Sequence, residues 1–408
     1  MNAVSAPLKC LSAGLIVTIA QVFIAVCVLA PSGPLWYRYS TLVQHDGYWF
    51  ANIVDRGYGT TVPPITRKMM EVSNVAFFPA YPVIAGLLHD VFNIDTYNAL
   101  LITAQAAAWG FWSYFFLFCR RWDVSLPLQV FGAMAIVAHP AAFFLVAGYS
   151  ESLFLMMLAG FIYWSSSEGR TATVLAALHG FTMSATRIVG VPCALYPVVR
   201  RFFESGWRKL ANVRAFLALH LPAVALSIVA MLGAAAFFLY CQLRWSRWDM
   251  YMLTQHAGWA IEPDYLAVFK PSSYQWLLPP PDDPTLASQL TVTLTFWLFV
   301  AVALCEFLPA IRRRTAWTTR VGLYFCAAVI YYISVSGVAC VQMESMLRYE
   351  FCVHALIVLA LLHYLREVRI APTMVRAIGM TAVALFVAIG FSVQGWYVWN
   401  FTRGNWVA

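Results

Sequence analysis

The chain has 408 residues, 62% of them hydrophobic and only 11% charged, with a mean hydropathy of +0.71. A soluble domain carries about a quarter of its residues charged, so the composition excludes a soluble globular protein and predicts an all-α polytopic membrane protein. The net charge of +8 does not indicate a nucleic-acid binder. The cations cluster in "CRRWD", "VVRRFFESGWRKLANVR", "AIRRRTAWTTR" and "LREVRIAPTMVR", short stretches between apolar runs that read as cytoplasmic loops of a membrane protein.

In chain order, the first apolar run, "LSAGLIVTIAQVFIAVCVLA" (11–30), is long enough to span a bilayer. It reads as a retained helix, because a cleaved signal peptide has a shorter apolar region and a small-residue cleavage site. Residues 31–96 form a first outer loop containing "LVQHDGYWFANIVDRGYG" (42–59) and "NVAFFPAYP" (74–82). Further helices are expected over 97–118, 128–147, 149–165, 171–186, 188–200, 215–243, 289–309, 320–340, 349–366 and 374–397. The pair between Arg170 and Arg200 is too short for two full crossings, so broken or half-length helices covered by other protein are expected there. A second outer loop spans 244–288, and its "LLPPPDDP" (277–284) reads as a rigid extended piece.

With the N-terminus cytoplasmic, the basic loops all fall on the cytoplasmic side. Both long loops, "AGYSES", "VQMESMLRYE" and "NFTRGNWVA" then lie outside. An alternative makes 76–92 a full crossing and flips the helices after it, which exposes Arg120, Arg121 and Arg170 outside and ranks second. Residues 1–408 read as one membrane domain. The nine cysteines are scattered with no Cys-x-x-Cys, so neither a disulfide framework nor a zinc site is expected. No Asp-x-Asp or His/Glu spacing asks for another metal.

Ionisable residues in or beside a membrane are costly and need a function or a satisfied structural role. Asp46, Asp55, Arg56, Glu151, Arg187, Lys270, Glu344, Arg348 and Glu350 all fall on or near the expected outer side. That distribution predicts a shared polar cavity opening outward.

"HDGYWFANIVDRGYG" followed by "NVAFFPAYP" resembles the signature of the PIG-V-type mannosyltransferases of GPI-anchor synthesis and their bacterial relatives. "HPAAFFLVAGYSESLF" (139–154), "SATRIVGV" (184–191) and "SMLRYEFCVHALIV" (345–358) are similar to three further segments of that family, in the same order. "MYMLTQHAGWA" (250–260) is more weakly similar to a family loop holding Gln and Trp. The resemblance spans residues 42 to about 358. It departs at His45, where the family has Trp, which puts the substrate in question.

The resemblance implies a GT-C glycosyltransferase that takes a hexose, mannose in the family, from a polyprenyl-phosphate carrier to a lipid-linked or glycan acceptor, with membrane lipids as surroundings and no cofactor. It implies Asp46 as the catalytic carboxylate and a substrate site including His45, Arg56, Tyr149, Glu151, Arg187, Arg348 and Tyr349. The chemistry is consistent: an acceptor hydroxyl attacks well only as a base removes its proton. The departing phosphate needs cations, which guanidinium groups match with paired hydrogen bonds. A single displacement of this kind inverts the anomeric centre and needs no second neighbouring carboxylate.

Competing roles stay open for several residues. Glu151 either caps the helix beginning near Ser150 or contacts substrate. Arg187 either snorkels to headgroups or binds phosphate. Arg348 either pairs with Glu344 four residues earlier or binds phosphate. His45 orients an acceptor or is structural, and His139, His179 and His363 read as satisfied interior residues. The expected location is a bacterial cytoplasmic membrane with an outward-facing site, or the endoplasmic reticulum with a lumenal one. A transporter of lipid-linked sugars and a non-catalytic assembly subunit are the competing functions. The absence of a visible repeat and of midplane charges weighs against transport.

Overall fold

The computed structural model describes residues 5–30, 33–60, 73–205, 213–277, 284–307, 317–367 and 373–407, and these are helical with no strand among them. The first helix, α1, runs Ser5–Phe23 and continues as a π-helical stretch, Ile24–Leu29. Three helices follow before the next long apolar one: α2 (Leu35–Ser40), α3 (Asp46–Arg56) and α4 (Ala80–Phe92). The body then runs α5 (Thr96–Arg121), α6 (Leu126–Val137), α7 (Glu151–Ser165), α8 (Arg170–Thr186), α9 (Gly190–Cys193), α10 (Tyr196–Ser205) and α11 (Val213–Trp245). After α12 (Met250–Trp259) come α13 (Pro284–Phe307), α14 (Trp317–Val338), α15 (Met346–Glu367) and α16 (Thr373–Phe401).

Among the described residues seven helices are long and apolar enough to cross a membrane, which makes this an integral, multi-pass membrane protein. The innermost is α15, with 78% of its apolar stretch buried. Around it the helices approach closely through small residues and side-chain hydrogen bonds, as membrane packing requires. On α5 the Asp95 carboxylate caps the first turn by accepting from the amides of Tyr97 and Asn98, and Arg120 and Arg121 close the last turn. Trp112 of α5 donates to Gln21 of α1 at 2.6 Å. Between α8 and α11, the Ser184 hydroxyl donates to the Ala230 carbonyl at 2.6 Å, and Gly233 lies so close to α8 that a Cβ there would fall 1.9 Å from the Phe181 carbonyl oxygen.

Several boundaries differ from the expected ones for identifiable reasons. The helix expected over 128–147 stops at Val137. Pro140 disfavours helix at His139, whose ring nitrogen Nδ1 accepts from the Ala141 amide at 3.1 Å. A short 3-10 turn, Ala142–Leu145, follows. The stretch 188–200 is broken into α9 and α10, with Pro192 inside the four-residue α9 and Pro197 in the first turn of α10. The alternative full crossing over 76–92 is instead the 13-residue α4, about 20 Å long and too short to span. Arg67, Lys68, nearly all of "LLPPPDDP" and much of the basic loops lie outside the described residues.

Two polar layers mark the ends of α15. One holds Arg348; the other holds Glu367, which pairs with the fully buried Arg320 at 3.0 Å. Arg320 also makes a two-pronged contact with Glu306 at 2.5 and 2.8 Å and donates to His363 at 2.8 Å. Residues 348 and 367 are 19 apart on one helix, about 28 Å at 1.5 Å per residue. That matches the hydrocarbon thickness of a bilayer.

Candidate active site

Asp46 is the first residue of α3, where the positive end of the helix dipole favours a carboxylate. The turn before it is tight. His45 has φ 47° and ψ −109°, a region that costs a non-glycine residue about 1–3 kcal/mol and persists only when surrounding contacts impose it. The imposing contacts are present: the Gly148 amide donates to the Leu42 carbonyl at 3.0 Å. A Cβ on Gly47 would stand 2.9 Å from Val43 and 3.2 Å from the Gly148 carbonyl, so only glycine follows the aspartate without displacing the 147–149 segment.

That segment leads into α7, whose first residue is Glu151, buried to 2% exposure. The antiparallel partner α8 ends at Arg187, its C-cap, in extended conformation. The hairpin therefore brings acid and base to one end, each beside the helix terminus that favours its charge. The Arg187 Nη1 donates to Glu151 Oε1 at 2.7 Å. Arg348, 4% exposed, enters from the first turn of α15, a position where the helix dipole opposes a cation. Two carboxylates offset it: Nη1 donates to Asp46 Oδ2 at 2.5 Å, and Nε lies 3.4 Å from Glu151 Oε1.

The result is a neutral chain of two acids and two arginines, Asp46–Arg348–Glu151–Arg187, contributed by four helices. Aromatic rings wall it. The Arg348 guanidinium lies 5.1 Å from the ring centres of Tyr149 and Tyr349, and Arg187 lies 5.1 Å from Tyr349. Arg348 Nη2 also donates to the Tyr349 hydroxyl at 3.3 Å. Burial holds the Tyr149 phenol well above its ordinary pKa, and Asp46 adds to the rise. It is a neutral wall rather than an acid. Glu151 Oε2 and Arg348 Nε are buried without a hydrogen-bond partner among the described residues. Such groups are rare in folded proteins and concentrate where a ligand or water binds.

Of the residues singled out from sequence, Asp46, Tyr149, Glu151, Arg187, Arg348 and Tyr349 come together here, although they are spread over 304 positions of the chain. Arg56 does not join them. It ends α3, exposed, ten residues beyond Asp46, about 15 Å along the helix. His45 adjoins Asp46 but turns its ring the other way, and its Nε2 donates to the Asn405 carbonyl at 3.1 Å. Of the two alternatives for Arg348, the helical pair with Glu344 does not form, because α15 starts only at Met346 and Arg348 pairs with Asp46 and Glu151. Glu344 stays in the electrostatic neighbourhood. Burial raises its carboxyl pKa, Arg348 opposes the rise and Asp46 adds to it.

Two quoted segments supply neighbours of the site that were not singled out as site residues. Tyr251 of α12 packs edge-on to Phe78 at 5.0 Å and has a phenol pushed to about 12 by burial, with Tyr349 adding and Arg187 opposing. Residues Phe401–Val407 pack behind the site, and no motif marked them. His139 is not isolated either: it shares a 2.7 Å hydrogen bond with His354. No group of three or more His, Cys, Asp or Glu side chains able to hold a metal occurs among the described residues.

No protein-family model matches the sequence, and no curated protein does. Solved structures do. ArnT from Cupriavidus metallidurans bound to undecaprenyl phosphate superposes with a TM-score of 0.52 at 13% identity, over 91% of this chain and 63% of that one. Its apo form gives 0.50 at 14% identity, over 91% and 62%. The archaeal oligosaccharyltransferase AglB from Archaeoglobus fulgidus, in complex with an inhibitory peptide and a dolichol-phosphate, gives 0.49 at 11%, over 96% and 56%. The chain thus spans less than two thirds of the length of the structures it matches. At this identity the likeness is one of fold: the chain has the polytopic helical fold that ArnT has.

Proposed function

We propose that the protein is an inverting glycosyltransferase that moves a hexose, mannose in the first instance, from a polyprenyl-phosphate donor to a lipid-linked or extracytoplasmic glycan acceptor. The observation that carries the reading is the contact of Asp46 with Arg348, which itself lies against the buried Glu151–Arg187 pair. A carboxylate able to take a proton stands beside two guanidinium groups able to hold a phosphate. The fold shared with ArnT, whose structure contains undecaprenyl phosphate, supports the same donor class here.

In this reading the donor phosphate competes with Asp46 for Arg348 Nη1 and draws on the unpartnered Nε, while Arg187 closes from the other side. Asp46 Oδ2, released, accepts the proton of the acceptor hydroxyl as its oxygen bonds to the anomeric carbon. The bond from that carbon to the phosphate oxygen breaks, and its electron pair leaves with the polyprenyl phosphate. The arginines stabilise that growing charge in a site largely closed to water, where a single positioned donor contributes about 3 kcal/mol. Glu151 is a positioning residue that keeps both guanidinium groups in place. The active site lies on the outer side, opposite the Arg320 layer.

The test is chemical. Purified protein in liposomes is given undecaprenyl-phosphate-mannose and an alkyl mannoside, and the product is analysed by mass spectrometry and NMR. A new glycosidic bond with inverted anomeric configuration is expected. Passage of the donor between leaflets with no bond formed refutes this function in favour of transport.

A further inference from the structure

The Asp46–Arg348 pair has a common support from a part of the chain that contributes nothing to its chemistry. Phe401, 1% exposed at the end of α16, packs on four rings: His45 at 5.8 Å, Phe143 at 5.2 Å, Phe144 at 5.6 Å and Tyr149 at 5.8 Å. Tyr149 and Phe144 are in turn the rings beneath the Arg348 guanidinium. Beyond Phe401 the chain turns through Gly404, φ 79°, and is held by the Asn405 amide donating to the Asn400 carbonyl at 3.1 Å. This turn returns Asn405 and Trp406 to His45. The Asn405 carbonyl accepts from His45 Nε2 at 3.1 Å, the Trp406 ring meets the imidazole edge-on at 4.9 Å, and Val407 is buried to 4%. An acceptor carbonyl fixes the ring as the Nε2–H tautomer.

One short segment therefore backs both partners of the ion pair, Arg348 through Tyr149 and Asp46 through His45. It also explains the strained turn. A non-glycine residue at φ 47° needs contacts to keep it there, and the tilted and edge-on ring contacts with Phe401 and Trp406 plus the bond to Asn405 provide them.

We infer that residues Phe401–Val407 are a positioning wedge for the catalytic pair and that His45 is a positioning residue acting through Asp46, not a substrate ligand. This rests on the glycosyltransferase reading above. The polar and stacking contacts fix where the Asp46 carboxylate points, so their loss lowers turnover and leaves donor binding to the arginines intact.

The experiment compares wild type, His45→Ala, Trp406→Ala, the double variant and His45→Trp in liposomes, with undecaprenyl-phosphate-mannose and an alkyl mannoside. Each single Ala variant is expected to lower kcat about tenfold, the value of one good aromatic contact, with the donor KM unchanged and the fold retained. The double variant is expected to be no worse than His45→Ala, because that substitution already removes the contact with Trp406 along with those to Phe401 and Asn405. His45→Trp, which keeps a ring and an N–H donor, is expected to recover most of the loss. Unchanged kcat in the Ala variants, multiplicative losses, or a KM rise that tracks lost stability would each overturn the inference. If His45→Ala does not fold, Trp406→Ala decides, since that ring is 40% exposed. An Asp46→Asn control separates the two levels: if it is fully active the reaction itself is wrongly assigned, and if it is inactive while His45→Ala is normal only the wedge fails.

Discussion

Glu151→Gln removes the carboxylate that serves two arginines, and its cost can be worked from the geometry. Glu151 Oε1 stands 2.7 Å from Arg187 Nη1 and 3.4 Å from Arg348 Nε. At an effective dielectric constant of about 20 these contacts contribute about 6 and about 5 kcal/mol of attraction. Desolvation of the buried ions, several kcal/mol each, offsets much of that sum. The substitution leaves Arg187 with no carboxylate among the described residues and Arg348 with Asp46 alone. Breaking a buried pair in this way costs about 3–5 kcal/mol, and equilibrium unfolding in mixed detergent micelles is the assay. The charge-balanced double variant Glu151→Gln with Arg187→Gln is expected to regain more than half of the loss while staying inactive. A loss below about 1 kcal/mol for Glu151→Gln, the range of an exposed ion pair, would mean that the carboxylate is hydrated and refute the buried-chain description.

Further outcomes follow from the same packing. Arg320→Met strands Glu306 and Glu367 at the far end of the bundle and is expected to cost about 3–5 kcal/mol, with the donor KM unchanged, by the same unfolding assay and steady-state kinetics. Gly233→Ala drives a methyl group into the Phe181 carbonyl and is expected to cost about 1–3 kcal/mol by separating α8 from α11, again read from the unfolding midpoint. Arg348→Lys keeps the charge but loses the fork that reaches Asp46, Glu151 and the Tyr349 hydroxyl together. It is expected to raise the donor KM and lower kcat about tenfold or more, measured by product formation.

Much of the bundle was legible because hydropathy reports burial in lipid directly: α5, α7, α8, α11 and α15 begin and end within a few residues of the expected bounds. The failures fall where a local feature overrides hydropathy. The apolar run through Val137–Ala147 reads as helix by composition, yet Pro140 and the His139 side chain end it. The six-residue α2 is too short to give a periodic signal, whereas the helix expected behind Asp46 is present as α3, with Gly47, Phe50, Ala51 and Ile53 buried at helical spacing. Within the site, Asp46, Glu151, Arg187 and Arg348 stood out one by one as ionisable residues that a membrane protein must satisfy. Their pairing was not legible. Asp46 and Arg348 are 302 residues apart, and the one partner that local spacing offered, Glu344, lies before the start of α15. The His45–Asn405 contact, across 360 residues, left no trace in any local pattern.

The central claim is that Asp46 is the base of a glycosyl transfer. The direct measurement is product formation from undecaprenyl-phosphate-mannose by wild type and by Asp46→Asn, with donor binding followed in parallel. Loss of turnover by about a hundredfold or more with the donor still bound and the fold intact is the predicted result. Full turnover by Asp46→Asn contradicts the account.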